Sequence, residues 1–260
     1  MTGPVKLLVD GVTCRFGDTT ALWEARLQVA PREFLSIVGP SGCGKSTLFN
    51  VISGLIRPSE GRVVLDSTDI TGQTGHVGYM LQKDLLLPWR TVVGNIVLGL
   101  ALTRRLTAAD RVKAAHLATR YGLGNFLDYY PHALSGGMRQ RVALMRTLIL
   151  DVDMMLLDEP FGALDSQTRL AMQAWLLQVW TDNRRTVLFV THDVDEAIFL
   201  ADRVMVMTGR PGHFTAELEV GLPRPRDVSM LTGPRFMEVK RTILDLLHVT
   251  ADISATGQVA

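Results

Sequence analysis

Three short stretches carry residue types able to do chemistry. In Gly39-Pro40-Ser41-Gly42-Cys43-Gly44-Lys45-Ser46-Thr47, the pattern GxxxxGK[ST] gathers bare backbone, an ammonium group and hydroxyls. Glycines let successive N–H groups curl round phosphate oxygens, and a helix starting at the loop's end adds a favourable dipole. In such a loop Lys45 reaches the β- and γ-phosphates and the Ser46 hydroxyl ligates Mg²⁺. The alternative is a glycine-rich turn before an ordinary helix. The apolar run FLSIV ahead of the loop, with the lysine and serine behind it, weighs against that.

The second stretch, Met154-Met155-Leu156-Leu157-Asp158-Glu159, ends an apolar run in two adjacent acids. A buried strand ending this way projects both at the carboxyl edge of a sheet, where α/β folds bind ligands. Asp158 would hold Mg²⁺, and Glu159 could orient and polarise an attacking water. An Asp-Glu helix cap after a core strand is the plainer reading, weakened by the phosphate loop in the same chain. The third stretch, Leu134-Ser135-Gly136-Gly137-Met138-Arg139-Gln140-Arg141, sets Ser-Gly-Gly before a helical run. That is a second anion-binding helix N-terminus. One phosphate cradle is enough for a kinase or a GTPase; two point to a nucleotide held between two copies.

These stretches need elements to hold them. Strands are expected at VKLLVDGVTCRF, EARLQV and EFLSIV, and a helix at STLFNVISGL ending at Gly54. RVVLD and HVGYML read as strands. From about 92 to 145 the pattern is helical, broken at Gly122, Gly124 and Pro131. DMMLLD, TVLFVTH, DRVMVM and HFTAELEV read as strands; SQTRLAMQAWLLQVW, DEAIFLA and PRFMEVKRTILDLLHV read as helices. The central runs are apolar almost throughout, as parallel strands covered on both faces must be. The fold class expected is α/β, with a helical part inserted among the strands. The tail ADISATGQVA, 251–260, has no sustained apolar period and is expected to fray.

Composition sets the outer bounds. The chain has 260 residues, 47% hydrophobic and 20% charged, a globular balance with enough apolar surface for a sizeable core. A formal net charge of +1 gives no basic field for nucleic acid or an anionic membrane. Cys14 and Cys43 have no metal-ligand spacing and read as reduced thiols of a cytosolic protein. No signal peptide and no membrane-crossing stretch are seen, so any membrane role must come through a partner.

Taken together, the three stretches resemble the ATP-binding cassette (ABC) ATPases, over residues from about 5 to 245. The resemblance implies a P-loop NTPase core with a parallel sheet, an N-terminal antiparallel β-subdomain and an inserted α-helical subdomain. It implies one nucleotide-binding domain over 1–250, with ATP and Mg²⁺ as cofactors. Leu134, Ser135, Gly136, Gly137, Met138 and Gln140 then form the signature that a second copy presents to the nucleotide. Gln82 matches the glutamine that contacts Mg²⁺ and water, and His192 the switch histidine at the γ-phosphate. Asp165 falls in the loop that passes signals between subunits. Phe16 stands where the family often has an adenine-stacking tyrosine; it keeps the π-face and lacks the hydroxyl. Read alone, Phe16 could as well be core, Gln82 a loop residue and His192 a structural histidine. Cys43 reads as inert spacing inside the loop, although a thiol there could make alkylation inhibitory.

Leu85-Leu86-Leu87-Pro88-Trp89-Arg90-Thr91-Val92 follows Gln82, in the region that receives the membrane subunit in cassette transporters. An apolar loop with an aromatic is a reasonable docking patch, and packing over the helices is the alternative. QKDLLLPWRTVVGN, FGALDSQTR and GRPGHFTAELEVGLPRPRD look like the importer ATPases for nitrate, sulfonate, taurine, bicarbonate or thiamine-precursor pyrimidines. That resemblance implies a separate permease, a periplasmic or extracellular solute-binding protein, and a place on the cytoplasmic face of the inner or plasma membrane. An exporter subunit would share every catalytic residue. A soluble cassette ATPase of DNA repair or translation would carry a coiled-coil insertion or tandem cassettes, which this sequence lacks.

Overall fold

The structure, a computed structural model, describes residues 4–256, with side chains as far as His248. Strands β1 (Leu7–Phe16) and β2 (Thr19–Val29) form an antiparallel hairpin, and β3 (Phe34–Val38) runs into the glycine loop and α1 (Lys45–Ile52). Strands β4 (Glu60–Leu65) and β5 (Thr68–Asp69) return to the hairpin, and β6 (Gly78–Met80) leaves it. The inserted helices are α2 (Val92–Ile96), α3 (Leu98–Thr103), α4 (Ala108–Arg120) and α5 (Gly136–Leu148). Then come β7 (Met154–Asp158), α6 (Ser166–Asn183), β8 (Thr186–Thr191), α7 (Val194–Leu200), β9 (Arg203–Thr208), β10 (His213–Glu219) and α8 (Pro234–Thr256). Of the tail expected at 251–260, the backbone continues α8 to Thr256, and 257–260 lie outside the described residues.

Two sheets result. One is antiparallel, in the order β2-β1-β4-β5; the other runs β10-β9-β3-β8-β7-β6 and is parallel except for β10. The fold is thus the α/β arrangement expected, although β5 has only two residues and HVGYML supplies only three to its strand.

Strand alternation sorts the core into two layers. Phe34, Val38, Met155, Leu157, Val187, Phe189, Val204 and Val206 face the layer that α5, α6, α7 and α8 close. Leu35, Ile37, Met154, Leu156, Leu188, Val190, Met205 and Met207 face the layer shared by α1 and the antiparallel sheet. Because side chains alternate with period two and both faces are covered, nearly every position calls for an apolar residue, and β3, β7, β8 and β9 are buried along their whole length.

Register then does the positioning. Val38 pairs with Thr191, Asp158 with Val190, and Met80 with Leu157. The residues that follow these strand ends — Gly39, Glu159, His192 and, two on from Met80, Gln82 — therefore emerge along one sheet edge.

Candidate active site

The glycine loop bends through Gly42 (φ 79°) and Gly44 (φ 98°), left-handed conformations that a side chain would strain. Helix α1 begins directly after it, with no side-chain cap and no acid in its first turn. Its first N–H groups are therefore left for whatever enters the cavity beside them. Lys45 is buried, and its Nζ donates to the Gly39 and Pro40 carbonyls, each at 2.8 Å. Those contacts lay the ammonium along the loop's rim.

A cavity of about 500 Å³ opens over the loop, lined by Thr19, Thr20 and Ala21, by Ser41, Gly42 and Gly44 to Thr47, and by Gln82, Glu159 and Arg210. Glu159 stands at one end. Its backbone is left-handed (φ 42°), and its N–H donates to the Val190 carbonyl at 2.9 Å. Its Oε2 accepts from Gln82 Nε2 at 3.2 Å and meets His192 Nδ1 at 3.1 Å. A carboxylate only accepts, so Nδ1 carries the hydrogen in this contact. Residues 77 and 33 positions away in sequence thus converge on one carboxylate oxygen. Gln82, expected at the metal, has its amide nitrogen engaged with Glu159.

Asp158 is 4% exposed. One oxygen accepts from the Tyr79 hydroxyl at 3.4 Å; the other, Oδ1, is buried without a hydrogen-bond partner. Burial raises its carboxyl above the usual range; the Ser46 hydroxyl opposes this, and the Glu159 charge adds to it. An orphaned carboxylate oxygen beside a hydroxyl at the floor of a phosphate loop fits Mg²⁺, which takes one or two protein oxygens and its remaining ligands from phosphate and water. Among the described residues no group of three or more His, Cys, Asp or Glu could hold a metal by itself. Tyr79, which belongs to no sequence motif, is half-buried, and that burial raises its hydroxyl pKa with Asp158 adding to the rise.

The raised carboxyl bears on stability. The folded state holds the Asp158 proton more tightly than the unfolded chain, so stability declines as pH rises from the ordinary carboxylate range through the raised native value. At neutral pH the buried carboxyl therefore works against the fold. Asp158→Asn is expected to raise the Tm of the nucleotide-free chain at neutral pH, with the advantage shrinking in acid. Hydrolysis should fall by roughly 10²-fold or more. Calorimetry across pH checks this; an unchanged neutral-pH Tm would mean that Asp158 carries no such penalty.

The other expected site residues are spread more widely. Phe16 is 50% exposed, which excludes a core role, and it pairs across its turn with Thr19 of the cavity wall. Cys43 is buried and burial raises its thiol, so it is a poor target for alkylation. Asp165 caps α6, accepting from the Thr168 N–H at 3.0 Å, and that backbone bond lowers its carboxyl. Ser135 caps α5, accepting from the Met138 N–H, and is exposed. None of 134–140 is among the described residues that line the cavity. Gln140 separates from this group: it is 6% exposed, under α5 beside Leu144, Met172 and Trp175. Helical spacing turns it inward while Ser135 faces out.

The 84–90 loop is built as a presented surface. Asn95 is fully buried and holds it from beneath, accepting from the Leu87 N–H and donating to the Leu87 and Arg90 carbonyls. Arg139 of α5 pairs with Asp84 at 3.2 Å, and Arg146 donates to the Leu85 carbonyl at 2.9 Å. Leu86 is buried, whereas Trp89 is 71% exposed. Packing accounts for the leucine and leaves the tryptophan unexplained.

Comparison with known proteins agrees with this geometry. The family model described as "ABC transporter" matches residues 22–162. An uncharacterized ABC transporter ATP-binding protein of Methanocaldococcus jannaschii is 44% identical over 94% of this chain and 91% of its own length. The taurine import ATP-binding protein TauB of Rhizobium johnstonii is 40% identical over 94% of this chain and 95% of its own. A dimeric post-hydrolysis structure of the ATP-binding cassette MJ0796, bound to ADP and Pi, superposes with a TM-score of 0.70 at 30% identity, covering 82% of this chain and 98% of that one. The chain therefore belongs to the ABC transporter family and is one of its ATP-hydrolysing cassettes.

Proposed function

We propose that this chain is the ATP-hydrolysing subunit of a binding-protein-dependent importer of the nitrate, sulfonate or taurine type. It would work as a head-to-tail pair of identical subunits at the cytoplasmic face of the membrane, beneath a separate permease. The observation that carries the importer reading is the 40% identity to a taurine import ATP-binding protein over nearly the whole of both chains. No helix among the described residues is long and apolar enough to cross a membrane. A partner must then supply the path for solute.

In this reading ATP lies with its phosphates along Gly39 to Thr47, and its adenine reaches the Phe16 turn. Lys45 and the first N–H groups of α1 take up charge on the phosphate oxygens. Mg²⁺, held by Ser46 and Asp158, would neutralise β- and γ-phosphate charge when bound. Glu159 accepts a proton from water as the water oxygen bonds to γ-phosphorus. The bond from γ-phosphorus to the β,γ-bridging oxygen breaks, and ADP and phosphate leave. Gln82 and His192 orient the carboxylate and bring the nearby loops under its control. The Ser135 cradle, outside its own chain's cavity, is free to close the site of a second copy.

Trp89 tests the coupling. Trp89→Ala is expected to leave ATP binding by the isolated chain unchanged while reducing co-purification with a multi-span permease, or transport, by about 10-fold or more, as a truncated anchor at an interface does. Normal assembly and transport would end the docking role. A solute-binding protein found in the same assembly would exclude an exporter.

A further inference from the structure

We propose that Arg210, in the turn between β9 and β10, is a nucleotide-contacting residue whose guanidinium binds the polyphosphate of ATP or ADP alongside the glycine loop. This rests on the cavity being the nucleotide site and extends it to a turn outside the three chemistry-bearing stretches.

Position comes first. Arg210 lines the cavity together with Gly42, Lys45 and Ser46. A Cβ built on Gly42 would lie 2.6 Å from Arg210 Nη2 and 3.4 Å from Cζ, so the guanidinium lies against the glycine loop itself. A glycine there gives the arginine room, in addition to meeting the positive φ of the bend.

The turn that carries the arginine is fixed at several points. The Gly212 N–H donates to the Ala21 carbonyl, and the Trp23 N–H donates to the Gly212 carbonyl, each at 3.0 Å. A Cβ on Gly212 would fall 1.8 Å from the Cys43 carbonyl oxygen, and one on Gly39 would fall 2.1 Å from the Met207 carbonyl oxygen. The turn and the end of β9 therefore both pack closely on the loop, and the turn is bonded to β2. The backbone that carries the guanidinium thus needs no rearrangement when it engages a ligand.

Charge supplies the chemistry. Among the described residues no hydrogen bond or ion pair engages the Arg210 side chain. Other arginines of this chain are tied down: Arg169 to Asp193, Arg224 to Asp202, Arg139 to Asp84. A planar cation with its donors uncommitted beside a phosphate loop is matched by a phosphate, which it can bind through two parallel N–H bonds. The ligand class is a nucleoside di- or triphosphate, and adenosine gains nothing from the contact.

Equilibrium binding of ATP, ADP and adenosine to the purified chain tests this, alongside the rise in Tm that each nucleotide produces. Arg210→Ala is expected to weaken ATP and ADP by on the order of 10- to 100-fold, as loss of a charge-assisted bond does. Adenosine affinity and the nucleotide-free Tm should stay as in the wild type, and Arg210→Lys should recover part of the loss. Wild-type affinity for ADP and ATP in Arg210→Ala overturns the proposal; so does an equal loss for adenosine, which would mean a deformed cavity. If the alanine variant does not fold, Arg210→Gln carries the same comparison, and the same two results overturn the proposal. Failure of the wild-type chain itself to bind ATP would instead overturn the nucleotide reading of the cavity.

Discussion

Glu159→Gln is expected to bind ATP with near wild-type affinity and to hydrolyse it slower by on the order of 10²–10⁴-fold, the range for loss of a general base. The amide keeps the size of the side chain and can still accept from Gln82 or His192, so the three-way contact at 3.1–3.2 Å loses little geometry. It cannot take a proton from water. Because the nucleotide then persists, the variant should collect as an ATP-bound dimer, visible by gel filtration with ATP in the buffer. Turnover near the wild-type rate would assign Glu159 a structural role and move the base elsewhere.

The second large effect concerns the shared site. A Lys45→Ala subunit and a subunit damaged in the Ser135 cradle should each be inactive as homodimers. Combined, on the proposed head-to-tail pairing, they would form a heterodimer in which both lesions fall in one composite site and the other is intact. The structure directs the choice of the second lesion. A Cβ on Gly137 would meet Thr168 Cγ2 at 3.1 Å inside its own chain, whereas one on Gly136 meets Leu164 at an ordinary 3.4 Å. Gly136→Asp therefore repels phosphate without disturbing its own subunit. The purified heterodimer should hydrolyse ATP at up to about half the wild-type rate, one working site of two. Each parent should lie at least about 10²-fold lower, as loss of preorganised phosphate donors implies. If the heterodimer is as dead as its parents, cysteines at Ser41 and Ser135, both exposed, decide the matter. They should cross-link different chains with ATP bound, against the low background of the buried Cys14 and Cys43. No cross-link together with a dead heterodimer rules out the head-to-tail pairing.

Much of this was legible in the chain because it is local. FLSIV, MMLLD, TVLFVT and RVMVMT are apolar at nearly every position, and only a strand covered on both faces needs that. Loop glycines and cap residues likewise act over a few positions. What stayed hidden depends on residues far apart. Tyr79 reaches Asp158 across 79 positions, and Arg210 reaches Gly42 through a turn whose place is set by β2. Gln140 looks like part of the outward cradle until the helix turns it under Leu144. Trp89 and Leu86 belong to one apolar run, and only the packing of Asn95 beneath the loop separates the presented residue from the buried one.

The left-handed backbone at Glu159 bears on how this protein responds to selection. A non-glycine residue in that region is held there at a penalty of roughly 1 kcal/mol, and glycine would relieve it. Its neighbour Asp158 keeps a buried oxygen without a partner. Both defects lie on the two acids to which the proposed mechanism gives the metal and the general-base role. A screen rewarding heat resistance alone would therefore find its easiest gains at 158 and 159 and return a sturdier, silent protein. The same screen run with ATP turnover as a second criterion would have to look for its gains elsewhere in the chain.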